Sequence, residues 1–145
     1  MLINSNLIEL DLTLADKEAV ITKVAEILDA TGRIKDLNMV IHDMHAREAE
    51  VSTCMGMGIA IPHAHSKGVK ETSVVFIKLA SPIIWSDDDE ATLVFGILNA
   101  ADNESNEHLK ILSSLARKLM DEDFREDLIK AKSTEQVLGL LSFLL

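Results

Sequence analysis

The chain has 145 residues, 48% of them apolar but only 3% aromatic, a size suited to one domain, 1–145, whose core is built from Leu, Ile, Val, Met and Ala. Its formal charge of −10 excludes a nucleic-acid partner, whose phosphates need clustered Lys and Arg, but leaves room for an anion held by backbone amides and a few cations. No apolar run approaches the roughly 18 residues of a membrane span, the first residues lack signal-peptide regions, and the single Cys54 cannot close an internal disulfide, so a cytoplasmic protein is expected.

Residues 7–12 read as a first strand. Thr13, followed three residues later by Asp16, opens a helix with Val20, Val24, Ile27 and Leu28 on its apolar face, and Gly32 ends it. A second helix begins near Asp36, with Leu37, Val40, Ile41 and Met44 on one face. Arg47 follows Met44 by three residues and continues that inward face, where an arginine needs an anionic partner. His42 and His45 fall on the exposed face. In the polar stretch 48–53, Ser52 and Thr53 are expected to cap a turn. Cys54 reads as a small packed residue, and Met55 and Met57 as packing or a soft rim for a partner.

The run 56–66 is Gly-Met-Gly-Ile-Ala-Ile-Pro-His-Ala-His-Ser. Ile59, Ala60 and Ile61 suit a buried strand, and Pro62 ends the ladder because it has no N–H, which presents His63 at a strand end. Residues 73–80 form a strand, 82–85 a short extension or edge piece, 86–90 a solvated acidic turn without calcium-loop spacing, and 91–98 a strand buried on both faces. After a polar loop, Ser105 caps a helix carrying Leu109, Leu112, Leu115, Ala116 and Leu119. His108 aligns with Leu112, Leu115 and Leu119, so it faces the sheet near the positive end of the helix dipole and favours a neutral ring beside any bound anion. Two helices finish the chain, over 121–132 and from a capping box at Ser133 and Gln136. The expected architecture is α/β, a single domain with one mixed parallel and antiparallel sheet of about five strands and helices on both faces. The terminal helices are expected on the face away from the site, or at its edge.

An imidazole held at such a position serves as nucleophile or proton carrier at neutral pH. His63 and His65 also form a His-x-His pair on one strand face, with His108 as a third ligand, so a metal-binding protein is the alternative chemistry.

The order Arg47-Glu48, Ser52-Thr53, Gly58-Ile59-Ala60-Ile61-Pro62-His63, His108-Leu109 resembles enzyme IIA of the bacterial phosphoenolpyruvate-dependent sugar phosphotransferase system, fructose/mannitol type. The likeness spans essentially the whole chain and includes Gly56, Trp85 and the segment 121–125. Ala64 after the histidine is similar to the fructose branch, whereas His65 departs from the Lys common there. The resemblance implies a phosphotransferase component in which His63 takes a phosphoryl group from the phosphocarrier HPr, through Nε2, and passes it to a cysteine of enzyme IIB. It further implies that His108 stabilises the phosphoryl group, that Arg47 contacts the phosphoryl group or a partner, and that amides around Met57, Gly58 and His63 complete a cradle. No cofactor or metal is implied, and the protein would act with a membrane enzyme IIC without inserting itself. Glu104 and Glu107 at the rim would steer a basic HPr. A regulatory module of the same fold, in which phosphorylation of His63 controls a protein partner, is the alternative within the family.

Overall fold

The structure, a computed structural model, describes residues 1–101 and 107–145. Its centre is a long hairpin of β5 (Ser73–Ser86) and β6 (Asp89–Ala100), paired antiparallel. Both strands are nearly continuous apolar runs and are buried on both faces along most of their length. The expected short piece at 82–85 is the outer arm of β5, separated from the inner arm by a register break between Lys78 and Ile83. The acidic turn is tight, with Asp87 at φ 48°.

The remaining strands flank this hairpin. β1 (Ile8–Leu12) runs parallel to β5, while β3 (Ile59–Ala60) and β4 (His63–Ser66) both run parallel to β6. β2 (Cys54–Gly56) closes the edge, antiparallel to β3, giving six strands in a mixed sheet. The pairs Ile59↔Leu93 and His63↔Ile97 share one offset, so β3 and β4 are a single line along β6 interrupted at Ile61–Pro62. This corrects the expected strand end: Pro62 makes a gap, not a terminus, and His63 opens the second half of the line. Pairing resumes because the Pro62 carbonyl still accepts from the Ile97 N–H at 3.0 Å.

Helices cover both faces. α1 (Lys17–Ala30) and α2 (Leu37–Glu50) lie on one side. A Cβ added at Gly96 would sit 2.5 Å from a Val24 methyl, so only glycine lets α1 approach β6 this closely. Asp16, not Thr13, caps α1, accepting from the Ala19 N–H at 2.9 Å, because the helix starts only at Lys17. α3 (Glu107–Leu119), α4 (Glu122–Lys130) and α5 (Thr134–Leu140) lie on the other side. Both halves of the capping box form between Ser133 and Gln136. The expected cap Ser105 and the rim residue Glu104 lie outside the described residues, as does the side chain of Glu107.

The terminal helices do not cover the face away from the histidine. Lys78 pairs with Leu93, which shares its face with Phe95 and Ile97 and therefore with His63, and Lys78 reaches α4. α4 and α5 thus share the histidine's face and sit towards its β1 edge, where α5 packs on β1. The contact is polar as well as apolar. The buried Lys78 Nζ donates to the carbonyls of Leu128 (3.0 Å), Ile129 (2.9 Å) and Ala131 at the C-terminal end of α4. Burial lowers the pKa of this amine, with Asp11 opposing. Three carbonyls at the negative pole of a helix supply one acceptor for each ammonium proton.

Lys78→Met keeps the stem and removes the ammonium, orphaning the last carbonyls of α4. It should lower unfolding stability by about 2–3 kcal/mol, read as a fall in urea midpoint at unchanged slope.

Candidate active site

The site grows from the edge of the sheet. The buried stripe of α2 runs Val40, Met44, Glu48, at intervals of four, rather than ending on Arg47 as expected. Glu48 is the buried charge of this helix, and α2 extends through Glu50. Its carboxylate accepts from the Thr53 N–H (2.8 Å), the Thr53 hydroxyl (2.5 Å) and the Trp85 indole N–H (3.2 Å). Three donors compensate its burial. Thr53 therefore serves this carboxylate rather than the expected turn. Ser52 does cap locally, accepting from the Cys54 N–H at 3.2 Å, and its hydroxyl also bonds Ser86 at 2.8 Å.

This arrangement determines what His63 can do. Extending the Cys54↔Ala60 pairing by one step sets Thr53 opposite Ile61. An antiparallel pair of this kind exchanges two hydrogen bonds. One is made, from the Ile61 N–H to the Thr53 carbonyl at 3.0 Å. The Thr53 N–H is instead held by Glu48, which frees the Ile61 carbonyl. That carbonyl accepts the His63 Nδ1–H at 2.8 Å. With Nδ1 carrying the proton, Nε2 keeps its lone pair.

Burial pushes the His63 pKa below the ordinary histidine value, and the charges of Arg47 and His108 push it the same way, while the Ile61 carbonyl and Glu48 oppose. At neutral pH the ring is an uncharged nucleophile.

His63 lines a cavity of about 440 Å³ between α2, β4 and α3. Arg47 and His108, singled out from sequence, both line it, and so does His65. Arg47 is half-buried and donates to the Val51 carbonyl at 2.9 Å. Among the described residues its partner is this carbonyl and no carboxylate, so the guanidinium retains donors for another anion. His108 is half-buried, on the first turn of α3, and its ring centre lies 5.7 Å from that of His65. Its Nδ1 is buried with no hydrogen-bond partner among the described residues.

Other candidates stay outside this cluster. Met57 and Gly58 form the β2–β3 turn at positive φ and do not line the cavity. Met57 is exposed. Burial raises the Cys54 thiol pKa, which keeps it an unreactive thiol. His42 is exposed and His45 half-buried. His63 and His65 share one face of β4, yet no group of three His, Cys, Asp or Glu among the described residues is placed to hold a metal ion.

Residues 1–143 match the family described as phosphoenolpyruvate-dependent sugar phosphotransferase system, EIIA 2. The chain is 38% identical over 138 residues to the fructose-specific EIIA component of Haloferax volcanii, covering 94% of this chain and 89% of that one. It is 31% identical over 140 residues to multiphosphoryl transfer protein 2 of Escherichia coli, covering 97% of this chain but only 17% of that longer protein. Among solved structures, nitrogen regulatory protein IIA-Ntr from Neisseria meningitidis is similar with a TM-score of 0.87 and 30% identity, covering 97% and 96% of the two chains. The mannitol IIA in its complex with phosphorylated mannitol IIB from Escherichia coli gives 0.82 and 31%, covering 97% and 96%.

Glu48→Gln preserves an acceptor for the Thr53 and Trp85 N–H groups but removes the charge that favours imidazolium. The His63 pKa, followed by NMR titration, should fall further below the free-histidine value. Glu48→Ala releases the Thr53 N–H and should destabilise the fold by about 2–3 kcal/mol in denaturant titration.

Proposed function

The chain belongs to the phosphoenolpyruvate-dependent sugar phosphotransferase system EIIA 2 family, and we propose that within that system it carries a phosphoryl group on His63, accepted from phospho-HPr and delivered to a cysteine of enzyme IIB. The observation that carries this reading is the 2.8 Å bond from His63 Nδ1–H to the Ile61 carbonyl, which leaves a lone pair on Nε2. The Nε2 pair attacks phosphorus, the P–N bond to the donor imidazole breaks, and its electrons return to the donor nitrogen. As the new bond forms, the His63 ring gains positive character, which the Ile61 carbonyl and Glu48 accommodate. In the second transfer a cysteine thiolate attacks the same phosphorus and Nε2 leaves with its pair.

Phosphoryl transfer of this kind asks the protein chiefly for positioning and charge stabilisation. Arg47 offers a planar fork to the phosphoryl oxygens, and His108 a ring N–H. The donor is itself a phosphohistidine, so the step calls for no metal or cofactor. The fructose-specific relative and Ala64 support the fructose branch. The protein would work in the cytoplasm beside a membrane enzyme IIC; no helix among the described residues is long and apolar enough to cross a membrane.

The TM-score of 0.87 to a nitrogen regulatory IIA favours a second reading, in which phosphorylation of His63 governs a protein partner. A cognate enzyme IIB separates the two, because only the transport reading requires its cysteine to receive the phosphoryl group.

Incubation with phosphoenolpyruvate, enzyme I and HPr should load one acid-labile, base-stable phosphate, and His63→Ala should abolish it. Phosphate persisting on that variant sinks the assignment. His108→Ala and Arg47→Ala should fold and accept phosphate about tenfold or more slowly, measured by rapid quench.

A further inference from the structure

His65 is unexplained by the roles above, yet its surroundings fix its proton. Its Nδ1 lies 2.6 Å from the Asn99 amide Nδ2. The amide's orientation follows from Thr72. The Thr72 hydroxyl accepts from the Ala100 N–H at 3.1 Å and donates its own proton to Asn99 Oδ1 at 3.1 Å. In that orientation Asn99 Nδ2–H₂ faces His65 Nδ1, and a nitrogen that accepts from an amide carries no proton. The neutral His65 ring is therefore protonated on Nε2. Asn99 is buried and paired with His65 across the β4–β6 ladder, so the relay is rigid.

His63 and His65 stand two residues apart on the same face of β4, about 7 Å along the strand, with opposite tautomers. One presents a lone pair and the other an N–H, both at the rim of one cavity. Among the described residues lining it, Arg47 is the one permanent cation, against the carboxylates of Asp43 and Glu50. A dianionic group bound there depends on neutral donors as well.

We propose that His65 is a second hydrogen-bond donor to the phosphoryl group on His63, its Nε2–H aimed by the Ala100–Thr72–Asn99 relay. This rests on the His63 reading given above. His65 makes and breaks no covalent bond: it binds the oxygens while phosphorus moves between nitrogens, and it is not an alternative acceptor because its cavity nitrogen is protonated.

Nitrogen-15 NMR of the unphosphorylated protein should show His63 protonated on Nδ1 and His65 on Nε2; a His65 proton on Nδ1 overturns the proposal. On loading with phosphoenolpyruvate, enzyme I and HPr, the His65 Nε2–H resonance should move downfield, and no movement overturns it. Transfer from phospho-HPr should slow about tenfold to a hundredfold in His65→Ala and His65→Phe, whereas His65→Gln, which keeps an N–H, should recover most of the rate. Equal rates in all three variants and wild type also overturn it. Wild type that takes no phosphate removes the His63 reading and this one together, whereas loading abolished by His63→Ala with unchanged His65 variants removes this one alone.

Discussion

The capture of one backbone N–H by one buried carboxylate organises this site. If Thr53 and Ile61 exchanged both hydrogen bonds of their antiparallel pair, the Ile61 carbonyl would be spent on the sheet. His63 would then choose its tautomer freely. Glu48 takes the Thr53 N–H instead, and the freed carbonyl takes the His63 Nδ1 proton. The same carboxylate binds Trp85 on β5 and counts among the influences on the His63 ring. One side chain thus ties the end of α2 to the sheet, sets a proton and lends a charge. A buried carboxylate is costly unless its donors are complete, and here Thr53 and Trp85 complete them.

The other end of α2 is fixed just as locally. Ser66, inward on β4, donates to Asp43 at 2.6 Å, and the Gly68 carbonyl accepts from the Asp36 N–H at 3.2 Å at the helix start. A Cβ at Gly68 would lie 2.7 Å from the Asp36 carbonyl, so glycine is what allows this close approach. Pinned at both ends, α2 holds Arg47 over the cavity. Pro62 contributes by interruption: with no N–H at that residue the ladder to β6 is broken there, and His63 restarts it after the gap.

Much of this was legible in the sequence. The strands 73–80 and 91–98, the helices, Gly32, the capping box and the inward placement of His108 all follow from short-range periodicity and end chemistry. Arg47, expected on the inward stripe of α2, stands one residue short of it, and His63, expected at a strand end, opens β4. What could not be seen depends on pairing between distant segments. That Pro62 interrupts rather than ends a strand depends on β6 lying alongside with the same offset before and after the gap. The terminal helices lie towards the β1 edge, one of the two expected places, but on the histidine's face rather than the one away from it, because no local signal reports which side a chain crosses. Glu48 carries a local signal: it stands four residues beyond Met44 and eight beyond Val40, so periodicity alone places its charge on the buried stripe. The Asn99 amide that fixes His65 carried no signal at all, since it is 34 residues away.

A carrier that must accept a group and surrender it needs a site that stabilises the passing state more than either end. A cluster of lysines would hold a phosphoryl dianion too firmly on an acidic protein and would draw other anions. Here the carboxylates of Asp43 and Glu50 offset Arg47 in the same cavity, so attraction depends on geometry more than on net charge. Neutral imidazoles suit that balance. Each tautomer is set by a bond to backbone or amide rather than by a counter-charge, and a fixed N–H needs no reorganisation when the oxygens arrive. The two histidines of β4 therefore differ in the nitrogen left facing outward, because one Nδ1 is held by a carbonyl and the other by an amide, on a strand that gives both the same outlook.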